Sequence, residues 1–175
     1  MIFRAHRGSA AGQLHRQVRG ADESTGTGVV EVYDLDPLDP FGEPPSGRLV
    51  NISARGLVGT GDDILIGGLI VRGDAGQNVL IRAIGPDLSA LQIPNALFDP
   101  ALELRDGSGT LLASNDDWRD DQEAEITATG LAPNDDRDSA VIFALIPGSY
   151  TAIVRGAAES GGVALVEIYD LNFDH

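Results

Sequence analysis

Cysteine is absent from the 175 residues, and so is lysine, which leaves arginine as the source of all 12 basic side chains. Without thiols there is no disulfide framework and no thiolate nucleophile, and the redox compartment leaves no mark on the sequence. All 3 histidines lie outside residues 20–174. The body of the chain therefore lacks the commonest general base and, with lysine gone, the Schiff-base amine. A Ser-His-Asp arrangement is excluded there. No apolar run approaches the roughly 20 residues that a membrane-spanning helix needs. The arginines near the start are followed by neither an apolar stretch nor a small-residue cleavage site. That start does not read as a signal peptide, and an export signal is expected outside the given sequence.

Acid and glycine are plentiful. The 27 carboxylates give a net charge of -15, which repels phosphate backbones and anionic headgroups and attracts cations. Nucleic acid and membrane insertion are not expected. With 22 glycines and 5% aromatics, short strands joined by turns are favoured over long helices. Apolar runs of strand length predict strands near residues 29–35, 48–54, 63–71, 78–83, 101–105, 110–114, 139–145, 150–155 and 163–171. DGSG at residues 106–109 is a hairpin signal, and PGS at 147–149 a second connection. Helix is expected over residues 120–129, with SNDDW before it supplying caps, and as a short turn over 88–91. Together these predict an all-β, two-sheet antiparallel sandwich, jelly-roll or immunoglobulin-like, with one short helix. Gly67-Gly68 reads as a bulge and Gly161-Gly162 as a hairpin turn.

One phrase occurs twice. RGADESTGTGVVEVYDLD ends at Asp36 and RGAAESGGVALVEIYDLN at Asn172, two copies of one hairpin. Between the first copy and the rest lies DPLDPFGEPPSG, whose four prolines remove donors and favour an extended linker. The expected organisation is a terminal hairpin of a preceding repeat, or a donor strand, over residues 1–36. A linker over 37–47 and a complete sandwich unit over 48–175 follow. Ile2-Phe3 and Gly8-Ser9 overlay Ile142-Phe143 and Gly148-Ser149 with a slip in spacing. GQLHR at residues 12–16, shifted by one nucleotide, can be encoded as GSYTA, the phrase at residues 148–152. A frame-shifted start is the expectation for residues 1–19, and genomic DNA or intact mass decides it.

The segments RLVNISARGLVGTGDDILIGGLIVRG, VLIRAIGPDLSALQIPNALFDPALELRDGSGTLLASNDDW and IPGSYTAIVRGAAESGGVALVEIYDL together resemble a β-sandwich repeat of large secreted proteins of environmental bacteria, whose units end in VEVYDLD-like strands. PGSYTAIVRG is also similar to bacterial pre-peptidase C-terminal domains, calcium-associated sandwiches appended to secreted enzymes. The resemblance implies this architecture and a secreted, extracellular or cell-surface setting. It brings no catalytic activity.

Two acidic clusters are the candidate sites. SNDDWRDD offers Asn115, Asp116, Asp117, Asp120 and Asp121, and PNDDRDS offers Asn134, Asp135, Asp136 and Asp138. Calcium takes six to eight oxygens from carboxylates, amides and carbonyls, and neither cluster matches an EF-hand loop. The first is expected to hold calcium. The second is expected to be a solvated loop with Arg119 and Arg137 as counter-charges. TGDD at 60–63 and DLD at 34–36 read as turns. Trp118 reads as a lid over the core, with sugar stacking as the less favoured role. Paired carboxylates leave a glycosidase formally open, but an enzyme is not expected. The expected function is a structural module that assembles head-to-tail with copies of itself or a neighbouring repeat into a filament, stalk or matrix. Its assembly strand would be Val29, Val30, Glu31, Val32, Tyr33 and Leu35, added to a neighbour's sheet. The alternative is a calcium-stabilised adhesion module that recognises carbohydrate or a cell surface.

Overall fold

The computed structural model describes residues 51–172 and, upstream, the backbone of two short strands. The chain divides into two compact units, Met1–Leu49 and Val50–His175. In the first, β1 (Ile2–Phe3) and β2 (Glu31–Val32) form a parallel pair, Ile2 opposite Glu31 and Phe3 opposite Val32. Of the expected assembly strand, Glu31 and Val32 are thus paired to Ile2 and Phe3. Val29, Val30, Tyr33 and Leu35, like the linker, lie outside the described residues.

The second unit carries eight strands: β3 (Asn51–Val58), β4 (Leu65–Val71), β5 (Gln77–Ile84), β6 (Pro100–Asp106), β7 (Leu111–Asn115), β8 (Ser139–Leu145), β9 (Gly148–Gly156) and β10 (Gly162–Asp170). Two short helices, α1 (Pro86–Ala90) and α2 (Glu123–Ala128), interrupt them. One antiparallel sheet has the order β3-β10-β5-β8 and the other β4-β9-β6-β7. The pairings are nested: β3 with β10, β4 with β9, β5 with β8, and β6 with β7. The chain is therefore one long hairpin rolled into two sheets, which is the jelly-roll alternative of the expected sandwich. Its tip is the DGSG turn, where Asp106 Oδ1 accepts from Ser108 N, Ser108 Oγ and Thr110 N while Gly109 takes φ +86°.

The core fills the space between the sheets with Val79, Ile81, Leu102, Leu104, Val154, Val166 and their neighbours. Strands β6 and β9 alternate buried and half-buried residues because the outer face of their sheet meets solvent. In β5, by contrast, Val79, Leu80 and Ile81 are buried in succession. Its sheet is covered on both faces at β5, while β3 at the far edge stays mostly exposed. The chain between β7 and β8 folds over the outer face, where Trp118, Ile126, Leu131 and Ala132 pack on Leu80, Ala140, Ile142 and Tyr169.

Two glycine expectations need correction. Gly67 and Gly68 form no bulge, since β4 runs in continuous register with β9. A Cβ on Gly67 would lie 3.2 Å from Val166 Cγ2, so glycine there lets the sheets approach. The register shift sits instead between Leu104 and Arg105. Gly162 is the first residue of β10, pressed against the loop after α1: a Cβ would stand 2.6 Å from Leu97 N and Cα. The reversal is made upstream of it by a 3₁₀ turn, Ala157–Glu159, with Ala158 at φ 50°.

Candidate functional site

Strand β7 delivers the first acidic cluster to the rim of the sandwich. Asn115, its last residue, is buried and uses both ends of its amide: Nδ2 donates to Asp117 O at 2.9 Å, and Oδ1 accepts from Ala140 N at 2.9 Å. Ser139 Oγ lies 2.7 Å from Asp116 O and close to Pro100 O, the two carbonyls sharing its one hydroxyl proton. These bonds fix the start of the crossing loop. Beyond it, the five expected residues, Asn115, Asp116, Asp117, Asp120 and Asp121, line one open cleft of about 410 Å³. Glu103 joins them from β6, held by Arg105 Nε and Nη2 at 2.9 and 2.8 Å. The strand alternation that turns Glu103 outward was the available signal for it.

The cleft concentrates negative charge. Partial burial, followed by the charges of Asp99, Asp117 and Asp120, raises the proton affinity of Asp116. Asp117 is raised by burial and by Asp99, Asp120 and Asp136, with Arg137 opposing. A cation would relieve this repulsion. Even so, no three Asp, Glu or His side chains among the described residues converge closely enough to hold a metal ion. Asn115 spends Nδ2 on Asp117 O and one acceptor site of Oδ1 on Ala140 N.

In the second cluster Asn134 and Asp136 are exposed, and Asp138 is buried. Asp135 accepts from Arg137 Nε at 2.9 Å and Nη2 at 2.8 Å, Asp136 takes Arg119 Nε, and Asn134 donates to Asp87 Oδ2. Asp138 is fully buried; its Oδ1 accepts from Gly85 N at 2.7 Å, and its Oδ2 has no hydrogen-bond partner among the described residues. Burial pushes its carboxyl up to about 7, helped by Asp87 and Asp135 and opposed by the Gly85 N–H.

Trp118 is 2% exposed, donates Nε1–H to Asp135 O at 3.1 Å and carries the Arg119 guanidinium 4.2 Å from its ring. It is a lid over the outer-layer core, as expected. Its face is not open to a sugar. None of Ser114, Asn115, Asp116 or Asp117 caps α2. Gln122 holds the N-cap position without a side-chain cap bond, and its side chain turns to β8 instead. A polar cluster that sequence reasoning missed lies on the same outer face: Arg82 pairs with Glu167 and reaches Leu131 O and Tyr169 Oη, and Tyr169 Oη donates to Glu167 Oε1 at 3.0 Å. Its signal was the repeated E-x-Y of the two closing phrases.

No family model and no curated protein matches the chain. Among solved structures, the chain is similar to the pre-peptidase C-terminal domain of a collagenase from Bacillus anthracis. Identity is 14% and the TM-score 0.43, over 68% of this chain and 89% of that one. A likeness this loose does not bear on function.

Proposed function

We propose that this chain is a non-enzymatic structural module of an extracellular assembly, joining head-to-tail through β-strand pairing into a filament, stalk or matrix. The observation that carries the reading is the duplicated closing strand. In the sandwich its second copy is β10, a central strand bonded on both sides, to β3 and to β5. The first copy has only Glu31 and Val32 described as paired, in a two-residue ladder. A sequence suited to two partners offers backbone groups and an apolar face to a neighbouring sheet. Because donor and acceptor surfaces differ, such contacts need not close into rings.

The chemistry of the candidate groups supports a non-catalytic role. Asp138, the carboxyl with the most raised proton affinity, is fully buried and out of a substrate's reach. Calcium at the rim is part of the proposal, with Asp116, Asp117 and Asp120 as the ligands that draw in around it and stiffen the loop. The carbohydrate alternative gains nothing from Trp118, which is buried.

Electron microscopy of the purified chain tests the reading: polymers are expected, and they should vanish when residues 1–37 are deleted. Filaments that persist after that deletion exclude the donor role.

A further inference from the structure

The proposed assembly leaves open which groove receives the donor strand. One edge is partly guarded against it. Strand β8 bounds its sheet, and three of its outward backbone groups are already taken: Ala140 N by Asn115 Oδ1 at 2.9 Å, Ile142 N by Gln122 Oε1 at 2.9 Å, and Ile142 O by Gln122 Nε2 at 3.0 Å. Two side-chain amides imitate an added strand there.

The groove between β3 and β5 makes demands that can be read from β10, its occupant. Residues 19–36 align with residues 155–172 without a gap. Gly162 must be glycine, because a Cβ would stand 2.6 Å from the Leu97 backbone; the copy has Gly26. At Gly156 a Cβ would lie 2.0 Å from Ser160 O, and the copy has Gly20. Val166 packs across the sheets onto Gly67, and the copy has Val30. Glu167 and Tyr169 meet Arg82, and the copy has Glu31 and Tyr33. Glu159 accepts from Gly61 N at 3.2 Å, and the copy has Glu23. Asn172 Oδ1 accepts from Asn78 N at 2.7 Å, which the carboxylate of Asp36 can also do. Ala158 sits at φ 50°, a conformation that Asp22 of the copy tolerates better than alanine does. Three positions disagree: Thr25 replaces Gly161, whose Cβ would be 3.1 Å from Val58 O, Thr27 replaces half-buried Val163, and Gly28 replaces the fully buried Ala164.

We propose that residues 19–36 of one copy of this chain occupy the β3–β5 groove of a second copy by exchange with its β10, so that the acceptor of the assembly is this groove and not a free sheet edge. The inference rests on the strand-assembly reading given above. It predicts an exchange limited by release of β10, which is bonded on both sides.

Proline substitution in the full chain tests it, since proline cannot serve in a central strand. Three variants are compared: Val166→Pro in β10, Val30→Pro in the copy, and both together. Emission of the sole tryptophan, Trp118, buried over the sheet that contains β10, reports folding, and light scattering after size exclusion reports mass. Val166→Pro is expected to keep buried-tryptophan emission and to run as a dimer or larger. Val30→Pro should fold as the parent does, and the double variant should emit as the denatured chain does. The inference is overturned by Val166→Pro unfolding as fully as the double variant, by a double variant that folds, or by Val166→Pro folding as a monomer. If the parent chain forms filaments that need residues 1–37 while Val166→Pro is unfolded, strand assembly stands and the groove is wrong.

Discussion

A carboxyl buried against the backbone of Gly85 burdens the fold more when charged than when protonated, and Asp138 is such a group. Its ordinary value of 3.8 rises to about 7 in the fold. Between those values the folded state holds a proton that the unfolded state has released, so the stabilisation from this group is complete below the lower value and lost as pH rises through the upper one. Thermal melts of the parent and Asp138→Asn from pH 5 to pH 8 are expected to show the parent losing ground to the variant as pH rises. A gap independent of pH would mean that Asp138 does not titrate in this window. Nothing local in NDDRDS separates Asp138 from its acidic neighbours. Asp135 and Asp136 find arginines while Asp138 turns inward, and only the packing of α1 against the β7–β8 crossing makes that distinction.

Elements were more legible than individual side chains. Alternation and turn chemistry located the eight strands of the sandwich, because a half-buried strand writes period two into its own residues. The reading 139–145 coincides with β8, and 163–171 lies one residue from β10. The helix expected over 120–129 is the shorter α2, and its cap came out differently because Asn115 and Gln122 serve the edge of β8 instead. That use carries a prediction. Gln122→Ala removes both side-chain bonds to Ile142 and exposes the edge strand, so urea denaturation should show a loss of about 1 kcal/mol. Light scattering should show faster aggregation of the variant, since an unguarded edge recruits other strands. Unchanged scattering would remove the guarding role from Gln122.

At the scale of the molecule, a net charge of -15 and the acidic rim pull in the same direction. Any cation bound at Asp116, Asp117 and Asp120 lowers the repulsion that, after burial, raises the first two carboxyls. Calcium at about 100 times its dissociation constant should add about 2.7 kcal/mol to the stability. The melting temperature should then rise with millimolar calcium, fall with chelator, and respond less in Asp117→Asn. A melting temperature indifferent to chelator rejects calcium at this rim.

The sequence by itself determined where the strands lie, that they make an antiparallel β-sandwich, and that the closing phrase is present twice, because alternation, turn residues and repetition are written in neighbouring positions. That the two strands of this phrase belong to different sheets and form no hairpin was decided by the tertiary structure. Tertiary structure alone decided the rest. It nested the strands about the DGSG turn into a jelly roll and buried β5 on both faces. It also brought Glu103 to the acidic loop and set Arg82 between Glu167 and Tyr169. Those outcomes depend on contacts between residues far apart in the chain, whose energies no local pattern records.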